Sequence, residues 1–165
     1  MSDLELQMAL IDNYNRYAQG LDFKDWGMVR SCFADEVYID YGEISAPTGS
    51  PDVARKADDW LEMLKAVING FDLTQHTITN HRVDRDGEYV SCRAYLTADH
   101  VVFPDPDSGV IAAEDVATVV GEYTNGYTLV GGSWKICRSQ LNVRWSSGNV
   151  GLFVSAPERA ARRKT

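Results

Sequence analysis

Two of the three histidines in this chain of 165 residues lie in one short segment, Asp72–His81 (DLTQHTITNH). Histidines this close in sequence suggest either a metal site or a base for proton transfer. The segment is rich in β-branched residues, which favours a strand. Side chains alternate along a strand, so His76 shares a face with Thr74 and Ile78, whereas His81 points the other way. The pattern therefore favours a single base and predicts no metal site.

Asp22 is the predicted acidic partner of this base. The apolar stripe of the first predicted helix runs through Asn15 and Ala18 to Asp22, which places the carboxylate on the core side just past the helix end. A carboxylate there is unfavourable without a partner. An aspartate that accepts from one imidazole nitrogen fixes the tautomer and raises the basicity of the other, so His76 is the candidate partner. The alternative is a surface Asp22 and a core His76 whose hydrogen bonds are satisfied.

Three helices followed by four long strands are predicted to position these residues. The helices cover residues 3–20, 24–33 and 51–70, a strand covers Glu36–Tyr41, and the long strands cover 73–84, 88–103, 112–130 and 133–146. This order predicts an α+β fold with a mostly antiparallel sheet. A strongly curved sheet wrapped around the N-terminal helices would leave a pocket for a small ligand.

Composition limits the number of domains and the kinds of partner. The length fits one domain over residues 1–150, followed by a C-terminal tail over 151–165. The formal net charge is −8, which argues against nucleic acid and anionic membranes as partners. No apolar run approaches the ~20 residues of a membrane span. Three widely spaced cysteines fit reduced thiols in a cytoplasmic protein. The basic cluster at the chain end is predicted to be a solvated tail: Arg159, Arg162, Arg163 and Lys164.

Six segments occur in an order that resembles the SnoaL-like family of the nuclear transport factor 2-like superfamily. They are GLDFKDW (20–26), VYIDYG (37–42), TQHTITNH (74–81), AYLTADH (94–100), GEYTNGY (121–127) and WKICRSQLNVRW (134–145). Within that family the chain is similar to the scytalone dehydratase, hexachlorocyclohexane dehydrochlorinase and bile-acid dehydratase types. The resemblance implies a cone-shaped barrel with one deep pocket, no metal or organic cofactor, and a homo-oligomer, either a trimer or a dimer.

The resemblance also implies roles for individual residues. It makes His76 the catalytic base and Asp22 the acid that orients it. The residues that it places around the substrate are Tyr17, Tyr41, His100, Asn125 and Arg144. The residues alone leave alternatives open. Both tyrosines could be core aromatics, Asp99 could face the pocket instead of His100, and Arg144 could pair with an acid at the rim.

The sequence and the resemblance together predict a cofactor-independent lyase that carries out a dehydratase-like elimination on a small hydrophobic, cyclic substrate. His76 would remove a proton from carbon, and Asp22 would stabilise the imidazolium. Tyr41, His100 or Tyr17 would hydrogen-bond a developing oxyanion or protonate a leaving hydroxyl. An isomerase or cyclase would use the same dyad. Two other classes are a non-catalytic small subunit of a ring-hydroxylating dioxygenase and a pocketed binding protein without turnover.

Overall fold

The computed structural model describes residues 2–105 and 107–163. Its α-helices are α1 (Asp3–Asp22), α2 (Trp26–Ser31), α3 (Ala57–Ile68) and α4 (Gly151–Arg162). Its strands are β1 (Phe33–Asp40), β2 (Arg55–Lys56), β3 (Leu73–Asp86), β4 (Tyr89–Val101), β5 (Val116–Val130) and β6 (Ser133–Gly148). Helices thus precede a run of four long strands, which confirms the predicted α+β class.

The six strands form one mostly antiparallel sheet in the order β2-β1-β6-β5-β4-β3. Among the pairings in the described part of the chain, that of β1 with β6 is parallel and the others are antiparallel. The strands from β3 to β6 form the predicted meander, and Gly87 and Gly131 have positive φ values in its tight turns. Within the described residues the sheet is open, with β2 and β3 at its edges.

Helix α1 begins as predicted but ends two residues later. Ser2 caps it, since the backbone N–H of Glu5 donates to Ser2 Oγ and the Glu5 carboxylate accepts from the Ser2 backbone. Gly20 does not end the helix. A Cβ there would lie 2.7 Å from Val29 Cγ2, so this glycine serves the close packing of α1 on α2. The two additional residues place Asp22 at the last position of α1.

The third helix starts later than predicted. Residues 51–54 form no helix, and the following pair Arg55–Lys56 lies antiparallel to Glu36 and Val37 of β1. The backbone groups of this short strand are therefore used by the sheet, and α3 begins at Ala57. Helix α3 then buries Trp60, Leu61 and Leu64 against the inner face of the sheet.

A β-bulge in β3 makes the predicted direction of His81 wrong. Thr79 pairs with Tyr95 and Arg82 with Arg93, so two residues of β3 oppose one residue of β4. Asn80, one of the two, adopts a left-handed backbone with φ of 57°. The extra residue changes the alternation, and His81 turns inward, with its ring 5.2 Å from that of Tyr14. Both histidines of β3 therefore face α1.

The C-terminal segment is not the solvated tail that its basic residues predicted. Residues 151–162 form α4, which packs on α3 and buries Ala156 and Ala160. Arg159 is used internally, since its guanidinium donates to the backbone oxygens of Gly70 and Leu152, each at 2.8 Å. Residues 164 and 165, with Lys164 of the basic cluster, lie outside the described part of the chain. No helix in that part is long and apolar enough to cross a membrane.

Candidate active site

A cavity of about 670 Å³ lies between the inner face of the sheet and the helices. Its walls are mainly apolar, and they come from every helix except α2 and from strands β3 to β6. Most of the polar side chains that reach it form two groups. One holds His76 and His100, and the other holds Tyr17, Tyr41 and Tyr123, while Glu43 and Ser146 also line the cavity. This combination of apolar walls and a few converging polar groups is typical of small-molecule sites.

The structure brings the two predicted catalytic residues into contact. Asp22 ends α1 and His76 lies on the inward face of β3, against which α1 packs. His76 Nδ1 lies 2.6 Å from Asp22 Oδ1. The side chains are 5% and 18% exposed for His76 and Asp22, respectively. The pair therefore interacts largely out of bulk solvent, where an electrostatic contact is stronger than in water.

Two further hydrogen bonds hold the Asp22 carboxylate in place. The Thr74 hydroxyl donates to Oδ1 at 3.0 Å, and the backbone N–H of His76 donates to Oδ2 at 2.9 Å. Burial alone raises the pKa of Asp22, but the hydrogen bonds from His76 and Thr74 outweigh burial and hold that pKa below its ordinary value. The carboxylate is therefore ionised at neutral pH. It fixes the proton of His76 on Nδ1 and leaves Nε2, on the opposite edge of the ring, free to act as a base.

His100 lies beside the base and faces the cavity. Its ring centroid is 5.5 Å from that of His76, and Phe71 and Phe153 pack against it at 5.1 and 4.7 Å. Burial, followed by the nearby charge of His76, lowers the pKa of His100 to about 3. His100 is thus a neutral imidazole at physiological pH. Asp99 points to the other face, where it accepts a hydrogen bond from Thr118 at 2.6 Å.

Three tyrosines form the second polar region of the cavity. The ring of Tyr123 lies 6.2 Å from Tyr17 and 5.9 Å from Tyr41, and the hydroxyls of Tyr17 and Tyr123 interact with that of Tyr41. Burial raises the pKa of all three phenols, and for Tyr17 and Tyr123 it does so well beyond the ordinary value. The group therefore presents neutral hydroxyls to a ligand.

Asn125 lies behind the tyrosines and does not line the cavity. Ser139 Oγ donates to Asn125 Oδ1 at 2.7 Å, and Tyr41 Oη lies 2.9 Å from the same Ser139 oxygen. Because a serine hydroxyl has one proton, Tyr41 is the donor in its bond to Ser139. Asn125 therefore reaches the site through Ser139 and sets the direction of the Tyr41 hydroxyl.

Arg144 lies outside the cavity. Its side chain is 49% exposed, it lies 3.4 Å from a Glu122 carboxylate oxygen, and its guanidinium stacks over the ring of Tyr95 at 4.9 Å. The structure thus brings together Tyr17, Tyr41 and His100 with the dyad, but it does not bring Arg144 to them. This geometry matches the alternative in which Arg144 pairs with an acidic residue.

Sequence reasoning did not identify Tyr123, Ser139 and Phe153. Tyr123 could have been found, because alternation along β5 places it on the same face as Asn125. Ser139 and Phe153 carry no local signal of this kind. Among the described residues, no three of the types His, Cys, Asp and Glu lie close enough together to hold a metal ion.

An open, mostly antiparallel sheet that encloses an apolar cavity with an Asp–His pair in its wall defines a class of small pocketed α+β domains. A family model described as "SnoaL-like domain" matches residues 2–140. The chain belongs to this family, and its structural neighbours share the cone-like nuclear transport factor 2-like fold.

Individual relatives show the same relationship. Scytalone dehydratase PfmaJ of Pestalotiopsis fici is 28% identical over 147 residues, which cover 86% of this chain and 72% of that protein. The crystal structure of Kfla4162 from Kribbella flavida is similar with a TM-score of 0.72 and 25% identity, covering 96% and 99% of the two chains. A hexachlorocyclohexane dehydrochlorinase (LinA) type 2 structure has a TM-score of 0.68 at 16% identity, covering 90% and 91%. At that identity the last similarity concerns the fold alone.

Proposed function

We propose that this protein is a cofactor-independent lyase that eliminates water from a small hydrophobic, cyclic substrate, with Asp22 and His76 as its acid–base pair. The observation that carries the proposal is the 2.6 Å contact between His76 Nδ1 and Asp22 Oδ1 in the wall of an apolar cavity. The relative named as a scytalone dehydratase supports a reaction of this type.

In the proposed reaction, His76 Nε2 removes a proton from a carbon next to a carbonyl group. The electron pair of that C–H bond forms a C=C double bond as the bond to a neighbouring hydroxyl breaks. Asp22 stabilises the imidazolium that results. Proton transfer of this kind contributes about 100- to 10,000-fold to a rate, and orientation and electrostatics must supply the rest.

The tyrosine group favours water as the leaving group. A hydroxide ion leaves poorly unless it is protonated, and the neutral hydroxyls of Tyr17 and Tyr123 can donate hydrogen bonds to the departing oxygen. That oxygen takes its proton from the imidazolium of His76 and leaves as water, which restores the neutral base.

The test is an assay of scytalone and related cyclic β-hydroxyketones in D₂O, in which mass spectrometry detects loss of water and deuterium uptake at the carbon next to the carbonyl. We expect His76→Ala to lower kcat about 100- to 10,000-fold. His81→Gln, on the same strand but directed at Tyr14, is the control and should retain activity.

Three outcomes would contradict the proposal. Turnover by His76→Ala at the wild-type rate would show that His76 is not the catalytic base. Deuterium uptake by the wild type without loss of water would indicate an isomerase or cyclase that uses the same dyad. Binding without exchange or dehydration of any compound in the series would indicate a binding protein.

A further inference from the structure

We propose that the cavity selects an electrically neutral substrate and excludes carboxylates and phosphates of the same size. The inference rests on the function proposed above and adds the chemical class of the substrate. It depends on two features of the cavity: the charges around it and the groups that can form hydrogen bonds with a ligand.

The charges that surround the cavity are negative. No lysine or arginine is among the described residues that line it. Glu43 lines it directly, and the Asp22 carboxylate lies immediately behind His76. An anion that enters would lose its hydration, find no counter-charge and meet two like charges, which is a costly combination. The net charge of −8 acts in the same direction over longer distances.

The tyrosines and His100 of the cavity are uncharged hydrogen-bonding groups. The three tyrosine hydroxyls keep their protons, because burial raises their pKa, and His100 stays neutral, because burial lowers its pKa to about 3. Such groups bind hydroxyl and carbonyl oxygens well. They do not replace the positive charge that a carboxylate or phosphate needs when it leaves water.

The size of the cavity does not restrict the substrate to one ring. Its volume of about 670 Å³ has room for a ligand of several rings.

The mouth of the cavity is where Glu43 acts. We use the word mouth for two exposed segments among those that line the cavity: Glu43, Ile44 and Pro47 after β1, and Val150 and Val154 around the start of α4. A ligand that enters between these two segments passes the Glu43 carboxylate. Val154 is 86% exposed, so a charge can be introduced there without disturbing the core.

Two probes that differ mainly in charge test the inference. 9-Anthracenemethanol and 9-anthracenecarboxylate share one three-ring system, and equilibrium dialysis at pH 7.5 measures the Kd of each from its fluorescence. We expect the alcohol to bind at least about tenfold more tightly than the carboxylate. Equal binding, or tighter binding of the carboxylate, would overturn the proposal.

Matched variants test whether the preference for the neutral probe arises inside the cavity. Glu43→Gln and Val154→Lys should each narrow the preference for the alcohol, whereas Glu88→Gln, in the exposed turn between β3 and β4, should leave it unchanged. An identical preference in all three variants would place binding outside the cavity and would overturn the inference.

The measurement requires no turnover, so it separates this inference from the proposed function. His76→Ala should retain the preference for the neutral probe while it loses catalysis. A selective wild type that turns over no substrate would leave the charge selection standing and would contradict only the lyase proposal.

Discussion

At the scale of residues, contacts from β3 hold the Asp22 side chain of the dyad in place. Thr74 and the His76 backbone fix the carboxylate of Asp22 from the β3 side, so the acid is directed by the strand that carries the base. Neither side chain has to be ordered by the ligand. Such preorganisation lets the charge of Asp22 act on the imidazolium without rearrangement during the reaction.

Asp22→Asn should separate the catalytic role of the carboxylate from a structural one. Asparagine keeps the shape and one acceptor oxygen but removes the charge that stabilises the imidazolium, so we expect kcat to fall roughly 100-fold. Binding of 9-anthracenemethanol should change little. The control is Asp12→Asn, an exposed position on the same helix. A comparable loss of binding and of Tm in Asp22→Asn would show that Asp22 is mainly structural.

The helical stripe pointed to Asp22, because an amphipathic helix fixes the faces of residues three and four apart, although Asn15 on the same stripe is exposed. It could not predict that Ser139 joins Tyr41 to Asn125. Tyr41 and Ser139 are 98 positions apart, and their hydrogen bond depends on the parallel pairing of β1 with β6. A contact of this kind follows from the register of a finished sheet, which no local pattern contains.

At the scale of elements, α4 makes the largest difference between the predicted and the observed structure. Its basic residues indicated solvent exposure, but apolar residues recur at Val150, Phe153, Ala156 and Ala160, and they contact either the cavity or α3. This spacing of three and four is typical of an amphipathic helix. The charge of Arg159 is compatible with burial against α3 because backbone carbonyl oxygens accept hydrogen bonds from its guanidinium N–H groups.

Gly70→Ala should test the docking of α4. A Cβ at Gly70 would lie 2.2 Å from the backbone oxygen of Ala156, so the helix has to move away from the end of α3. We expect a loss of about 1–3 kcal/mol in the free energy of unfolding, measured by denaturation with urea. Affinity for 9-anthracenemethanol should also fall, because α4 supplies Phe153 to the cavity wall.

Gly27→Ala is the matched control for this substitution. The added Cβ in α2 meets only an Asp25 side-chain oxygen at 3.5 Å, which is an ordinary contact. Stability should be unchanged or slightly raised. Faster hydrogen exchange over residues 151–162 in Gly70→Ala alone would confirm that α4 has been displaced, and unaltered exchange there would contradict it.

At the scale of the whole molecule, a buried histidine ties stability to pH. The pKa of His100 is about 3 in the folded protein, below the ordinary value of 6.5. The unfolded chain therefore binds a proton that the folded chain does not bind between these two values. The contribution of His100 to the free energy of unfolding is fully present above pH 6.5. It is lost as the pH falls, by up to about 1.4 kcal/mol per pH unit.

His100→Gln should remove this part of the pH dependence. Urea denaturation at several values between pH 7 and pH 4 should show a steeper decline in the free energy of unfolding for the wild type than for the variant. The slopes are compared, so a constant loss of stability in the variant does not affect the result. Equal slopes would show that His100 titrates normally in the folded protein.

The fold class and the order of the strands in the meander were predictable because both follow from periodicity and turn residues. The contact between Asp22 and His76 was expected from the helical stripe together with the resemblance to the SnoaL-like family, and the catalytic role of the pair stays a prediction. The open edges of the sheet, the start of α3 and the direction of His81 were not predictable, because they depend on pairing between distant strands. The expectation of a trimer or dimer stays a prediction.

The bulge in β3 affects how the base is located in related chains. Between the turn at Gly87 and the bulge, odd-numbered positions such as Val83 face the core, whereas beyond the bulge the even-numbered positions Thr74, His76 and Ile78 do. In a relative without the extra residue, the corresponding histidine would stand one place nearer to that turn. Counting from the hairpin would therefore miss it by one, whereas pairing with the aspartate at the end of the first helix would find it in either chain.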